Sequence, residues 1–181
     1  MTDLVITLIG PDRPGLVEAV SLAVADFGGN WLESRMAHLA GKFAGILRVE
    51  VPEDKSSALL AALSALDTAG LKIVVEPSAQ PDPSADGRVL DLELVGLDRP
   101  GIVREISQLF AESGANVEAL DTDRSSAPMS GEMLFQAKAR IRLPATADLS
   151  HLRQALERLA SDLVVEIRLV ETSLEAKGRV R

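Results

Sequence analysis

Cysteine and tyrosine are both absent from the 181 residues, and aromatic side chains make up only 3% of them. Without cysteine there can be no disulfide, no thiolate nucleophile and no zinc–thiolate site, a composition that suits a reducing cytoplasm. Only two histidines occur, His38 and His151. Neither has a second ligand at metal spacing or a Ser–Asp pair beside it, so both read as surface residues. The carboxylates are scattered, and those on helical stretches, such as Glu105 and Glu112, read as a solvated face. No apolar run approaches the length of a membrane span, and the opening MTDLVITLIG has no basic leader segment. These absences argue against an enzyme, a metal or cofactor site and a membrane protein. The expected location is the cytoplasm.

Positive charge is scarce as well. The formal net charge is −8. Residues 1–76 carry 10 acidic and 6 basic side chains, and residues 77–181 carry 17 and 13, so both halves are acidic. There is no basic run to track a phosphate backbone. Direct nucleic-acid binding is disfavoured, because that affinity comes mainly from phosphate neutralisation.

What is present is an internal repeat. GPDRPGLVEAV begins at Gly10 and GLDRPGIVREI at Gly96. A shift of 86 carries Gly10, Asp12, Arg13, Pro14 and Gly15 onto Gly96, Asp98, Arg99, Pro100 and Gly101, and Gly28 and Asn30 onto Gly114 and Asn116. Further on, FAGILRVEVP from Phe43 matches FQAKARIRLP from Phe135 at a shift of 92, so the second copy has gained six residues between Asn116 and Phe135. The turn formers of DTDRSSAPMSGE place that insertion in a hairpin loop. The chain is a tandem duplication of one domain: residues 1–76, a proline-rich linker at 77–87, residues 88–172 and a tail at 173–181.

Each copy has the same grammar. An alternating, β-branched run (LVITLI; LDLEL) predicts a strand. Leu16, Val17, Val20, Ala23, Val24 and Phe27 then recur at helical spacing, answered by Ile102, Val103, Ile106, Leu109 and Phe110. Gly28 and Gly114 mark the helix ends. A hairpin follows, turning near Ala40-Gly41 in the first copy, with Trp31 as a core anchor. A second helix carries Leu59, Leu60, Leu63 and Leu66 on one face, or Leu152, Leu156 and Leu159, before a last strand. The order is β-α-β-β-α-β twice, an α+β fold of two ferredoxin-like domains, each a four-stranded antiparallel sheet with two helices on one face. In the second copy the other sheet face is expected to be polar. In the first it is largely apolar, so a covering domain or a homo-oligomer is expected.

Proline at the strand–helix junction fixes its own φ and suits a first helical turn. The helix is therefore expected to start at Pro14, with Asp12 or Arg13 at the cap, and Gly15 to leave the first-turn N–H groups approachable. Those groups and the helix dipole favour a carboxylate, and Asp12 can receive an ammonium, a combination that suits a free amino acid. A capping Asp and a packing Gly account for the same residues without a ligand. Arg13 and Arg99 fit capping less well, and each is expected to point outward or to an anionic neighbour.

The element order, the D-R-P-G junction and the G-(G/A)-N before the second strand resemble the ACT domain, a small regulatory module that often binds amino acids. The resemblance covers nearly the whole chain. Two such domains alone, together with ESR before the first hairpin and G-x-F after it, are similar to the glycine cleavage system transcriptional repressor family. Deformylase and phosphatase ACT domains carry a similar junction. The resemblance implies a regulator that binds a transcription activator rather than DNA, with glycine or another small amino acid as effector and no cofactor. It implies effector positions at Asp12, Arg13, Pro14, Gly15 and Leu16, with Asn30 facing them, and at Asp98, Arg99, Pro100, Gly101, Ile102 and Asn116. Trp31 and the longer second hairpin depart from the pattern. The alternatives are a regulatory subunit of a metabolic enzyme and an interaction module without ligand sensing.

Overall fold

In the first strand, β1 (Thr2–Pro11), Leu4, Ile6 and Leu8 are buried while Asp3, Val5, Thr7 and Ile9 lie on the opposite face, the period-two consequence of an extended backbone. The computed structural model describes residues 1–78, 87–127 and 131–171. The centre of the expected linker (79–86), three residues of the second hairpin loop (128–130) and the tail from 172 lie outside them. The chain divides into two units, Met1–Pro81 and Asp82–Arg181.

In the first unit β1 is followed by α1 (Leu16–Asp26), β2 (Asn30–Leu39), β3 (Lys42–Val51), α2 (Ser56–Ala65) and β4 (Lys72–Pro77). The sheet order is β2-β3-β1-β4, with every neighbouring pair antiparallel. Ile6 sits opposite Leu47 on β3 and Val75 on β4, which puts the inward side chains of three strands in one row under the helices. Leu16, Val20 and Val24 of α1 and Leu59 and Leu63 of α2 close over them. Each such side chain contributes about 1.5–3 kcal/mol through burial. Leu60, expected on the same face of α2, is exposed instead. The i, i+4 pair Leu59–Leu63 alone forms the buried stripe, and the chain then tightens into a 3-10 turn at Leu66–Ala69. Trp31 packs against this core.

The second unit repeats the plan with β5 (Gly87–Leu97), α3 (Ile102–Glu112), β6 (Asn116–Ser126), β7 (Met133–Pro144), α4 (Leu149–Leu163) and β8 (Val165–Glu171), in the order β6-β7-β5-β8. Its core gathers Leu90, Leu92, Leu94, Ile106, Phe110, Ile141 and Leu152. The repeat extends to an irregularity. The β2–β3 register slips between Trp31 and Glu33, and the β6–β7 register slips between Val117 and Ala119. The extra residues, Leu32 and Glu118, are related by the same shift of 86. A bulge kept at one place in both copies is a feature of the domain.

The repeated glycine at the end of the first strand has a steric reason. A Cβ on Gly10 would lie 2.8 Å from the Gly70 carbonyl oxygen, and one on Gly96 would lie 2.2 Å from Val165 Cγ1. In each unit the first strand passes too close to the start of the last strand to admit a side chain.

Candidate functional site

Both D-R-P-G segments form the turn that carries the chain from the first strand to the first helix. The helices start at Leu16 and Ile102, two residues later than Pro14 and Pro100. The N-cap residues are Gly15 and Gly101, with φ of 89° and 97°, a left-handed conformation that suits glycine. Asp12 and Arg13 therefore do not cap α1, and no side chain caps either helix. The reason is geometric: the left-handed glycine turns the preceding segment away from the helix axis. A capping aspartate does occur elsewhere, at Asp148, which accepts from the Ser150 N–H at 2.8 Å at the start of α4.

Freed from capping, the two aspartates turn to the hairpin. Asp98 Oδ2 lies 2.5 Å from Arg124 Nη2, and Asp12 Oδ2 lies 3.6 Å from His38 Nε2. Arg124 and His38 are repeat-equivalent: each sits on the second strand of its unit, opposite Phe135 or Phe43. The backbone makes the same connection, Asp12 N–H donating to Gly41 O at 3.0 Å and Asp98 N–H to Met133 O at 2.8 Å. From sequence His38 reads as a plain surface residue, and Arg124 does not stand out. The shift of 86 between them was the available signal.

Arg99 donates to both Glu105 carboxylate oxygens, at 3.2 and 3.0 Å. Glu105 is thus tied to the junction and is not merely part of a solvated face. Arg13, Pro14, Gly15, Pro100 and Gly101 are exposed, whereas Leu16 and Ile102 are buried core residues. Ile102 nevertheless lines the cavity at the second junction. In the second unit the turn opens into a cavity of about 580 Å³, lined by Asp98, Arg99, Gly101, Val103, Arg124 and Phe135 among others.

The two asparagines are elsewhere. Asn30 pairs with Glu50, which pairs with Asp3 at the start of β1, and its Nδ2 reaches Glu50 Oε1 at 3.4 Å. Asn116 pairs with Arg142. Eight residues of β1 separate Asp3 from Pro11, about 27 Å of extended chain. Within one unit Asn30 does not face Asp12, nor Asn116 Asp98, because the first helix carries the chain back to the opposite end of the sheet before the next strand begins. Among the described residues no cluster suited to a metal ion is present, and no helix is long and apolar enough to cross a membrane.

Residues 2–76 and 87–166 each match the ACT domain. The chain belongs to the ACT-domain family. This tandem ACT protein is similar, at 26% identity over 163 residues, to the glycine cleavage system transcriptional repressor of Escherichia coli (strain K12), over 88% of this chain and 85% of that protein. The corresponding protein of Shigella flexneri matches equally. A crystal structure of an unknown protein from Galdieria sulphuraria is 31% identical, with a TM-score of 0.81 over 95% of this chain and 99% of that one. A second crystal structure, of a protein assigned as a glycine cleavage system transcriptional repressor, shares the fold at 20% identity, with a TM-score of 0.70 over 95% of this chain and 98% of that one. The tandem ACT protein is thus related in sequence to that repressor.

Proposed function

We propose that this tandem ACT protein is a cytoplasmic, amino-acid-responsive regulator of the glycine-cleavage repressor type. It senses glycine or another small amino acid and acts on a protein partner, a transcription activator, rather than on DNA or as an enzyme. The observation that carries the reading is the strand–helix junction built twice in one geometry. Each has a helix N-terminus entered through a left-handed glycine, with an aspartate held beside it by a hairpin side chain. The first-turn N–H groups suit a carboxylate, and the aspartates, with lone pairs beyond those used by His38 or Arg124, suit an ammonium. The similarity to the Escherichia coli repressor supports the choice of effector, and the net charge of −8 supports a protein target over DNA.

The test is a thermal-shift panel of amino acids on the whole chain. A ligand at about a hundred times its Kd adds roughly 2.7 kcal/mol, which at about 4–8 °C per kcal/mol is a rise of about 11–22 °C for a domain of roughly 60–100 residues. Glycine is expected to lead. A panel that moves nothing removes ligand sensing. Co-purification with a metabolic enzyme and no transcription activator would instead favour a regulatory subunit.

A further inference from the structure

The two junctions share a backbone and differ in charge. The shift of 86 puts Arg104 where the first unit has Glu18, Glu105 where it has Ala19, and Arg124 where it has His38. Asp98 and Arg99 repeat Asp12 and Arg13 unchanged. In the second unit three arginines are set against Asp98 and Glu105, which leaves one net positive charge. In the first, Arg13 is set against Asp12 and Glu18, which leaves one net negative charge with His38 neutral. The sign of the junction reverses within one chain whose overall charge is −8.

The structure gives these charges their places. Arg99, Arg104 and Arg124 all line the cavity of about 580 Å³ at the second junction, with Ile102, Val103 and Phe135 as its apolar wall. Arg99 is taken up by Glu105 at 3.2 and 3.0 Å, and Arg124 by Asp98 at 2.5 Å. Arg104, in the first turn of α3, makes no ion pair among the described residues. The cavity thus has one cation in excess, beside an apolar wall. At the first junction the excess group is a carboxylate. Glu18 Oε2 lies 3.9 Å from the position of a Cβ on Gly15, and no ion pair among the described residues offsets it. Glu105 Oε1 comes equally near Gly101, at 3.6 Å, but Arg99 holds it.

We infer that the cavity of the second unit selects an amino acid with an acidic side chain, aspartate or glutamate, and that the first junction rejects one. The inference rests on the reading of the junctions as amino-acid sites and adds the class of side chain that the second one takes. The ligand's ammonium has Asp98, whose carboxylate keeps lone pairs beyond those Arg124 uses. Its side-chain carboxylate has Arg104, a permanent cation with five donors. Its methylenes have Val103 and Phe135. An acidic amino acid carries one net negative charge at neutral pH, which cancels that of the cavity. The matching amide gains less, because a hydrogen bond between charged groups is about twice as strong as one between neutral groups. At the first junction the same carboxylate would meet Glu18, a like charge that disfavours binding. That junction is left to a neutral amino acid such as glycine.

The experiment is calorimetric titration of the full-length chain with glycine, aspartate, asparagine, glutamate, glutamine and succinate, with circular dichroism as the check on folding. Aspartate or glutamate is expected to bind at one site per chain, at least about tenfold tighter than its amide. R104Q is expected to bring the acid to within about twofold of the amide. R158Q removes the same charge from α4, outside the cavity lining, and is expected to leave the preference intact. Succinate, with no ammonium for Asp98, is expected to bind more weakly than aspartate. An acid that binds no better than its amide overturns the inference. So does a preference that R104Q keeps or that R158Q removes, and so do two equal acid sites per chain. Succinate binding as tightly as aspartate overturns it as well, since the site would then be one for a plain dicarboxylate. If glycine binds and the acids show no preference, the inference falls and the reading of the junctions as amino-acid sites stands. If no amino acid binds, that reading falls with it.

Discussion

Arg124 holds Asp98 at 2.5 Å across the gap between the second-unit hairpin and the strand–helix junction. The equivalent contact in the first unit is His38 to Asp12, longer at 3.6 Å and made by a side chain that is charged only when protonated. The junction is therefore tied to the hairpin in both units, by a permanent cation in one and a conditional one in the other.

Replacing Arg124 with alanine should loosen the second junction and lower stability by at most about 1 kcal/mol, the ceiling for a pair this exposed. Replacing His38 with arginine should tighten the first by a similar amount. Both effects should shrink as salt is raised. Chemical denaturation at two ionic strengths measures them, and an equal effect at both would assign the change to packing rather than charge.

The left-handed turns at Gly15 and Gly101 set a second expectation. A Cβ at either meets nothing closer than 3.6 Å, so the cost of alanine is conformational and not steric. G15A and G101A should each lose about 1–2 kcal/mol, read as a lower denaturation midpoint with an unchanged m-value. A negligible loss at both would mean that the turn relaxes to another shape.

Gly96 is a steric case. Its added methyl would collide with Val165 Cγ1 at 2.2 Å. G96A should cost about 1–3 kcal/mol, and adding V165A should recover part of it. A double mutant less stable than the sum of the singles would rule out relief of that contact.

Asp3 responds to pH. The Arg48 guanidinium, hydrogen-bonded to it at 2.9 and 3.0 Å, holds its carboxyl below the usual aspartate range, mainly through those hydrogen bonds. A carboxyl whose folded value is depressed stabilises the fold above its unfolded value and loses that contribution as pH falls through the folded one. Wild type should exceed D3N in Tm at neutral pH, and the gap should close in acid below the ordinary aspartate range. A gap that does not change between neutral and strongly acidic buffer would assign the difference to packing or solvation.

The two-copy architecture was legible in the chain because its signals are local. Alternation at Leu4, Ile6 and Leu8 fixes a strand with one buried face. The spacing of Leu16, Val20 and Val24 fixes a helix stripe. The shift from 86 to 92 locates the longer hairpin. Each follows from backbone periodicity, which short stretches carry by themselves. The contrast between an apolar sheet face in the first copy and a charged one in the second was also readable, since alternate residues of a strand share a face.

Tertiary structure decided the site. Asp12 looked like a cap, and only the positive φ of Gly15 shows that the helix starts beyond its reach. Asn30 looked like its partner, but the return of α1 puts it at the other end of the sheet. His38 and Arg124 meet the junction because β2 and β6 run back toward it through β3 and β7, far from it in sequence. Local sequence sets periods and turns, whereas the register between distant strands sets which side chains meet.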